Sequence, residues 1–319
     1  MGELFIPAHP IHTIEASMVS EKHQFTHPPK YNWKEAFWGY LFIAPGLLGI
    51  ILFSLFPVLA GFGISFTKWG ILNQPEFIGL GNYIQMTRDT LLLKVLGNTF
   101  YYIAVSVPLN TMLALLLANA LNQKIKGLSI FRTAYYLPVV SATIAVSMVW
   151  MWLFDSNYGL INLALAFFRL EPVHWLTNPL TAMPAIIIVS VWKSAGWNMI
   201  IFLAALQDVP AELIDAAQVD GANKLQTFFR ITLPLITPAV FFTTIMGIIG
   251  SFQGFDLVYA MTKGGPARST TVIGYYIWQL AFSYSKMGYG AAVSYFLFLM
   301  ILLASLIQWF VRKHWVYGE

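Results

Sequence analysis

Few side chains of this chain can do chemistry, and their positions limit what that chemistry can be. There is no cysteine among the 319 residues, which removes disulfides, thiolate nucleophiles and Cys-based metal sites. Four of the six histidines stand at positions 9, 12, 23 and 27, in a proline-containing segment with nothing compact to hold a metal. Asp155, Asp208 and Asp256 all fall at the ends of long apolar stretches, so no mid-stretch carboxylate is at hand for ion coupling. Lys193 is the only charge deep within such a stretch. With Trp192, Trp197 and Asn198 around it, and Gln253 and Asp256 on a later stretch, it could build a solute site of aromatic faces and hydrogen-bonding groups. Lys193 and Trp197 share a helix face at i, i+4. The alternative is that Lys193 pairs structurally with a partner subunit and that the tryptophans pack or anchor at the interface.

A second cluster lies in the segment Asp208–Pro234. Pro210 fits a first helical position and Glu212 then falls in the first turn, near the positive end of the helix. Leu213, Ala216, Ala217 and Asp220 follow at helical spacing, and Gly221 supplies a stop in the left-handed region. Asn223 can cap a second helix with Leu225, Phe228 and Phe229 as its apolar stripe, which Pro234 would end. The small Ala216, Ala217 and Gly221 would let another surface approach the backbone. Residues alone leave two readings open: a rigid knob, or an amphipathic connection resting on a membrane.

The elements that must position these residues follow from composition. The chain is 58% hydrophobic and only 10% charged, against about 25% charged in ordinary soluble domains, and its mean hydropathy is +0.66. This excludes a cytosolic globular enzyme and a disordered chain. With 18 Lys and Arg in all, a nucleic-acid footprint is excluded too. Apolar stretches run from Ala36 to Thr67, Val95 to Gln123, Thr133 to Phe154, Pro172 to Gln207 (broken by Lys193), Ile231 to Phe255 and Met287 to Val311. Since a span needs about 20 apolar residues, these predict an all-α, polytopic membrane protein with six transmembrane helices, at about 38–66, 95–122, 133–154, 183–206, 235–256 and 288–311. Ser156–Phe168 is too short to cross, and Ser269–Ser285 suits a helix lying at the interface. Residues 1–35 read as a flexible cytoplasmic tail, with neither the basic start nor the apolar run of a signal peptide, and residues 36–319 as the transmembrane domain. Lys124, Lys126 and Arg132 in the second connection, and Arg312–Lys313 after the last span, put both termini in the cytoplasm.

There is no Gly-x-x-x-x-Gly-Lys-Ser/Thr, no His-Glu-x-x-His and no Gly-x-Ser-x-Gly, so no nucleotide, zinc-protease or serine-hydrolase motif is present. The chain is expected to move something without containing an engine. Asp215-Ala216-Ala217, Asp220-Gly221-Ala222 and Ile231-Thr232-Leu233-Pro234 resemble, at the right spacing, the EAA loop of ATP-binding-cassette (ABC) importer permeases, with Asp at 215 where the family has Glu. Phe131–Pro138, Phe77–Tyr83 and Met261–Pro266 followed by Thr270 resemble other segments of the carbohydrate-importing branch. The resemblance covers roughly residues 38–315.

It implies a permease subunit in a bacterial or archaeal plasma membrane. Beside it would stand a second permease, two ABC ATPase subunits, an extracytoplasmic solute-binding protein, a carbohydrate substrate and membrane lipid. By family habit the second permease is a different chain. No enzyme activity and no cofactor are expected here; ATP and magnesium belong to the ATPases. The loop 208–234, between the fourth and fifth spans, becomes the coupling element, with Glu212, Asp215, Ala216, Ala217, Asp220 and Gly221 as its contact residues. No family motif covers Trp192, Lys193, Trp197, Asn198, Gln253 or Asp256, and the sugar stays open, a glycerol-phosphate-type solute included. The rivals are an ion-coupled secondary sugar transporter, which should show internal repeats and an intramembrane acid, and a membrane enzyme, for which His174 near Glu171 is thin support.

Overall fold

The computed structural model describes residues 33–123, 127–314 and 316. The tail histidines, Lys124 and Lys126 therefore lie outside the described residues. By internal contacts the chain falls into two units, Met1–Val58 and Leu59–Glu319. The first holds α1 (Trp33–Ile50), a π turn (Ile51–Leu55) and the start of α2 (Phe56–Ser65), most of which belongs to the second. Side chains of the first unit, among them Phe42 and Phe53, are exposed, as lipid-facing residues of a span would be.

The second unit continues with a two-stranded antiparallel ribbon, β1 (Thr67–Lys68) and β2 (Glu76–Phe77), and the short α3 (Gly81–Met86). The long α4 (Thr90–Leu121) follows. The Asp89 carboxylate caps it, accepting from the amides of Leu91 and Leu92 at 2.9 and 3.1 Å. The same side chain accepts the hydroxyls of Tyr276 and Tyr289, both at 2.7 Å. Burial pushes the Asp89 carboxyl upward, but these hydrogen bonds outweigh it and hold its pKa below the ordinary value. One carboxylate thus ties the start of α4 to two later helices.

The third apolar stretch is not one straight helix, as the sequence reading had it. It forms α5 (Leu128–Val140) and α6 (Thr143–Leu153), bent by 99° at the break. The extended Ser141 and Ala142 separate the two, just after Pro138. Then come α7 (Leu160–Phe167), too short to cross a membrane, and α8 (Ala182–Gln207). Beyond them are α9 (Ala211–Val219), α10 (Lys224–Thr227), a π turn (Phe228–Thr232) and α11 (Leu233–Leu235). In the stretch expected to be the fifth span, α12 (Thr237–Gln253) starts after a 67° bend with the Lys224–Leu235 segment and stops short of 256. Asp256 instead opens a new helix, α13 (Asp256–Met261).

Helix α14 (Ile273–Trp278) continues as a π turn (Gln279–Ser283). It does not present the exposed surface expected of an interfacial helix: Ile273, Tyr275, Tyr276 and Leu280 are all buried, in contact with α4 and α15 (Met287–Val311). Its tyrosine satisfies Asp89, which explains why it is drawn inward.

The core has three parts. Val146, Met183, Ile186, Val258 and Val272 join α6, α8 and α13. Leu92, Val95, Ile103, Phe252, Tyr289 and Val293 join α4, α12 and α15. Ala114, Ala118, Met199, Phe202 and Ile236 join the end of α4 to α8 and the fifth-span bend, the alanines allowing close approach. Among the described residues four helical runs, Trp33–Ser65, Thr90–Leu121, Ala182–Gln207 and Met287–Val311, are long and apolar enough to cross a membrane. The two bent pairs make six if each counts as one span.

Candidate functional site

Two features carry the sequence-selected residues. The first is the segment after α8. Pro210 is the residue before α9 and not its first residue, with Glu212 in the first turn. Gly221 has φ +81°, and around it the Ala222 amide donates to the Ala217 carbonyl at 2.9 Å and the Gly221 amide to the Gln218 carbonyl at 3.0 Å. This paired closure is the Schellman motif. Asn223 and Gln226 then form a reciprocal capping box, each side chain accepting the other's amide, at 2.8 and 2.9 Å. A stop and a start two residues apart make a stiff corner.

Glu212, Asp215, Ala216, Asp220 and Gly221 are exposed, whereas Ala217 is buried. Pro234 does not end the second helix: it lies inside α11, and the turn comes at Ile236. Of the expected apolar stripe, Leu225 and Phe229 are exposed, as are Leu213 and Val219.

The second feature is a cavity of about 520 Å³ between α4, α8, α12 and the α5–α6 break, within the range of roughly 300–1,000 Å³ for small-molecule sites. Lys193, Trp197, Asn198 and Asp256 line it. Trp192 and Gln253 do not. Trp192 instead packs edge-on against Trp150, ring centroids 5.5 Å apart, and Gln253 is exposed.

Sequence reasoning missed most of the polar lining. Tyr102, Ser106 and Asn110 on α4 face Ser190, Ser194 and Asn198 on α8. Tyr102 and Ser190 share a hydroxyl hydrogen bond at 2.6 Å. The Asn110 amide donates to the Ser194 hydroxyl at 2.7 Å and to the Val191 carbonyl at 3.3 Å. The Asn198 amide donates to the Asn110 oxygen. The Ser106 hydroxyl is buried with no partner among the described residues. The signal that could have found them is a repeat of four: two apolar helices each place a polar residue at i, i+4 and i+8, which is one stripe of one face.

Such a wall alternates donors and acceptors and carries aromatic rings. It can hold a neutral, hydroxyl-rich solute by many modest hydrogen bonds. Among the described residues no group of three His, Cys, Asp or Glu side chains is placed to bind a metal ion.

Comparison with known proteins shows the family. Residues 110–315 match the family described as "Binding-protein-dependent transport system inner membrane component". The chain is 38% identical to the "Probable ABC transporter permease protein YesP" of Bacillus subtilis (strain 168), covering 88% of this chain and 92% of that one. It is 36% identical to the "Lactose transport system permease protein LacF" of Rhizobium radiobacter, covering 86% and 94%. The fold is that of a chain in the crystal structure of a bacterial alginate ABC transporter in complex with an alginate pentasaccharide-bound periplasmic protein. The TM-score is 0.78 at 24% identity, with 88% and 95% of the two chains covered. Its apolar helices, its match over most of its length and its permease relatives lead to one assignment: the chain belongs to the family of binding-protein-dependent transport system inner membrane components, as a multi-pass ABC transporter permease.

Proposed function

We propose that this permease forms half of the translocation pathway of an ATP-driven importer for a sugar or oligosaccharide, and that residues 208–234 couple it to separate ATPase subunits. The observation that carries this reading is the stiff, outward-facing corner at Asp220–Asn223. It is continuous through α10 and α11 with the bent fifth span, and α12 lines the cavity at Thr243, Gly247 and Gly250. A push on the corner therefore has a short covalent route to the cavity wall. Glu212, Asp215, Ala216, Asp220 and Gly221 would seat in the ATPase, with Ala217 supporting them from the buried side.

Each bent pair counts as one of six spans in this reading, with both termini and the coupling loop in the cytoplasm. A second permease of different sequence completes the pathway, and a solute-binding protein delivers the sugar from outside. ATP and magnesium act on the ATPases, and closure of those subunits shifts the permease between two packings. Lactose transport by the Rhizobium relative and the polar, uncharged stripes of α4 and α8 support a carbohydrate cargo. Trp197, Asn198 and Asp256 are the sequence-selected residues placed to meet it.

Gly221→Val tests the coupling. A Cβ at 221 meets nothing within 4 Å, so the change acts only through the left-handed backbone, which a β-branched residue resists by about 1–2 kcal/mol. Uptake of radiolabelled lactose, used as probe, and its associated ATP turnover should be lost while the membrane level of the chain is kept. Normal uptake in this variant would reduce the segment to a simple connection.

A further inference from the structure

The broken third span raises a question of backbone chemistry. A helix that stops within a membrane leaves its last carbonyls without intrahelical donors, and hydrocarbon supplies none. Here α5 ends at Val140 and the chain turns through 99° before α6. The Ser141 amide still reaches the Pro138 carbonyl at 3.3 Å and its hydroxyl the Leu137 carbonyl at 2.9 Å, and Lys193 on α8 answers what remains. Its Nζ donates to the carbonyls of Pro138 at 3.3 Å, Val139 at 3.4 Å and Ser141 at 3.0 Å. A lysine ammonium has three N–H donors and accepts nothing, so these three oxygens exhaust it. It also sits at the negative end of the α5 dipole, where a cation is favoured.

A second contact lies one turn further along α8. Gly196 faces the α5 backbone so closely that a Cβ there would collide with the Tyr135 carbonyl. Helix α8 thus grips α5 at two levels. Val139 and Thr143, on either side of the break, line the cavity together with Lys193.

We infer that Lys193 is a positioning residue: its ammonium fixes the bend of the third span against α8, so that Val139, Thr143 and α8 form one wall of the cavity. It is not a ligand of the transported solute. A ligand would need a free donor, and Lys193 has none to offer. The claim about the bend stands on the geometry alone; the role of that wall in transport rests on the importer reading above.

The test measures the bend in the assembled transporter, ATPase subunits included, in nanodiscs. The chain has no cysteine, so within it spin labels attach only where cysteines are introduced. Ile130 on α5 and Met148 on α6 are both exposed, at 74% and 65%, and flank the break. Pulsed electron paramagnetic resonance should give one narrow distance in the parent and in K193R, which keeps a cation with several donors. In K193M, which keeps the length and loses the donors, that narrow distance should be lost to a broad distribution. An unchanged narrow distance in K193M would overturn the inference.

If K193M does not assemble, K193Q takes its place. Its shorter amide cannot reach all three carbonyls, and a parent-like distance there overturns the inference equally. Lactose uptake supplies a second readout: a lowered maximal rate with unchanged half-saturation supports a positioning role, and raised half-saturation with the maximal rate kept would make Lys193 a sugar ligand. The distance is read without any sugar. Failure of lactose to enter the parent transporter therefore counts against the importer reading and leaves the result on Lys193 standing.

Discussion

The two bent helix pairs, α5–α6 and the Lys224–Leu235 segment with α12, solve the same problem in different ways. At the α5–α6 break the Ser141 amide keeps the Pro138 carbonyl at 3.3 Å and its hydroxyl the Leu137 carbonyl at 2.9 Å. A cation from another helix, Lys193, adds its donors to the carbonyls of Pro138, Val139 and Ser141, an approach made possible by Gly196. At the fifth-span bend the repairs are local. The Ile236 amide still reaches the Thr232 carbonyl at 3.1 Å and the Ala239 amide reaches Ile236 at 3.0 Å. The Thr237 hydroxyl donates to the Pro234 carbonyl at 2.6 Å, while Ile236 itself plugs into the core beside Ala114 and Ala118. The difference teaches that the first bend draws on donors from α8, whereas these hydrogen bonds at the second stay within its own segment, next to the proposed coupling segment. A joint whose backbone groups are satisfied by near neighbours keeps those hydrogen bonds within its own segment; one held by a distant ammonium depends on the helix that carries it.

Three substitutions would break or sharpen this contrast. Gly196→Leu should have the largest effect. Overpacking usually costs about 1–3 kcal/mol, and here the obstacle is backbone, so the upper end or beyond is expected. A fall of several degrees in the thermal inactivation temperature of the purified transporter would register it, and parent-like stability would show that α5 and α8 are not clamped. Asn223→Ala removes the acceptor of the Gln226 amide at the start of the coupling segment's second helix, at a cost of about 1 kcal/mol. Faster amide exchange should appear within residues 224–228 and leave the third-span break untouched; exchange spreading to α5 would erase the distinction between the two regions. Thr237→Val is the mildest. It keeps the side-chain shape and deletes one hydrogen bond at the fifth-span bend, worth about 0.5–1.5 kcal/mol. Uptake should persist at a somewhat altered rate, while complete loss would mean that the joint depends on this one hydroxyl.

Legibility from the chain was uneven for the same reason. The Asn223 cap, the left-handed Gly221 and the first-turn Glu212 were all readable, because each depends on residues at most five apart. Pro234 misled by two residues: proline was read as a stop, yet Leu233–Leu235 is helical and the turn waits for the buried Ile236. The interfacial reading of Ser269–Ser285 weighed its polar and aromatic composition and did not foresee Asp89, nearly two hundred positions away, as the partner of Tyr276. Trp192 and Gln253 were chosen as an aromatic face and a hydrogen-bonding group, and helix rotation carried both off the cavity wall.

By itself the sequence determined the membrane class, the six apolar stretches and the corner at 220–223. Charge-free length and local caps are one-dimensional properties that no packing can reverse. Only the tertiary structure decided that the third stretch breaks, that Lys193 serves the break, and that Tyr102, Ser106 and Asn110 meet Ser190, Ser194 and Asn198 across a cavity. Those outcomes depend on which faces of α4, α5 and α8 come together. A stripe of hydroxyls and amides becomes a wall, and an ammonium becomes a cap, only when a second helix arrives opposite it.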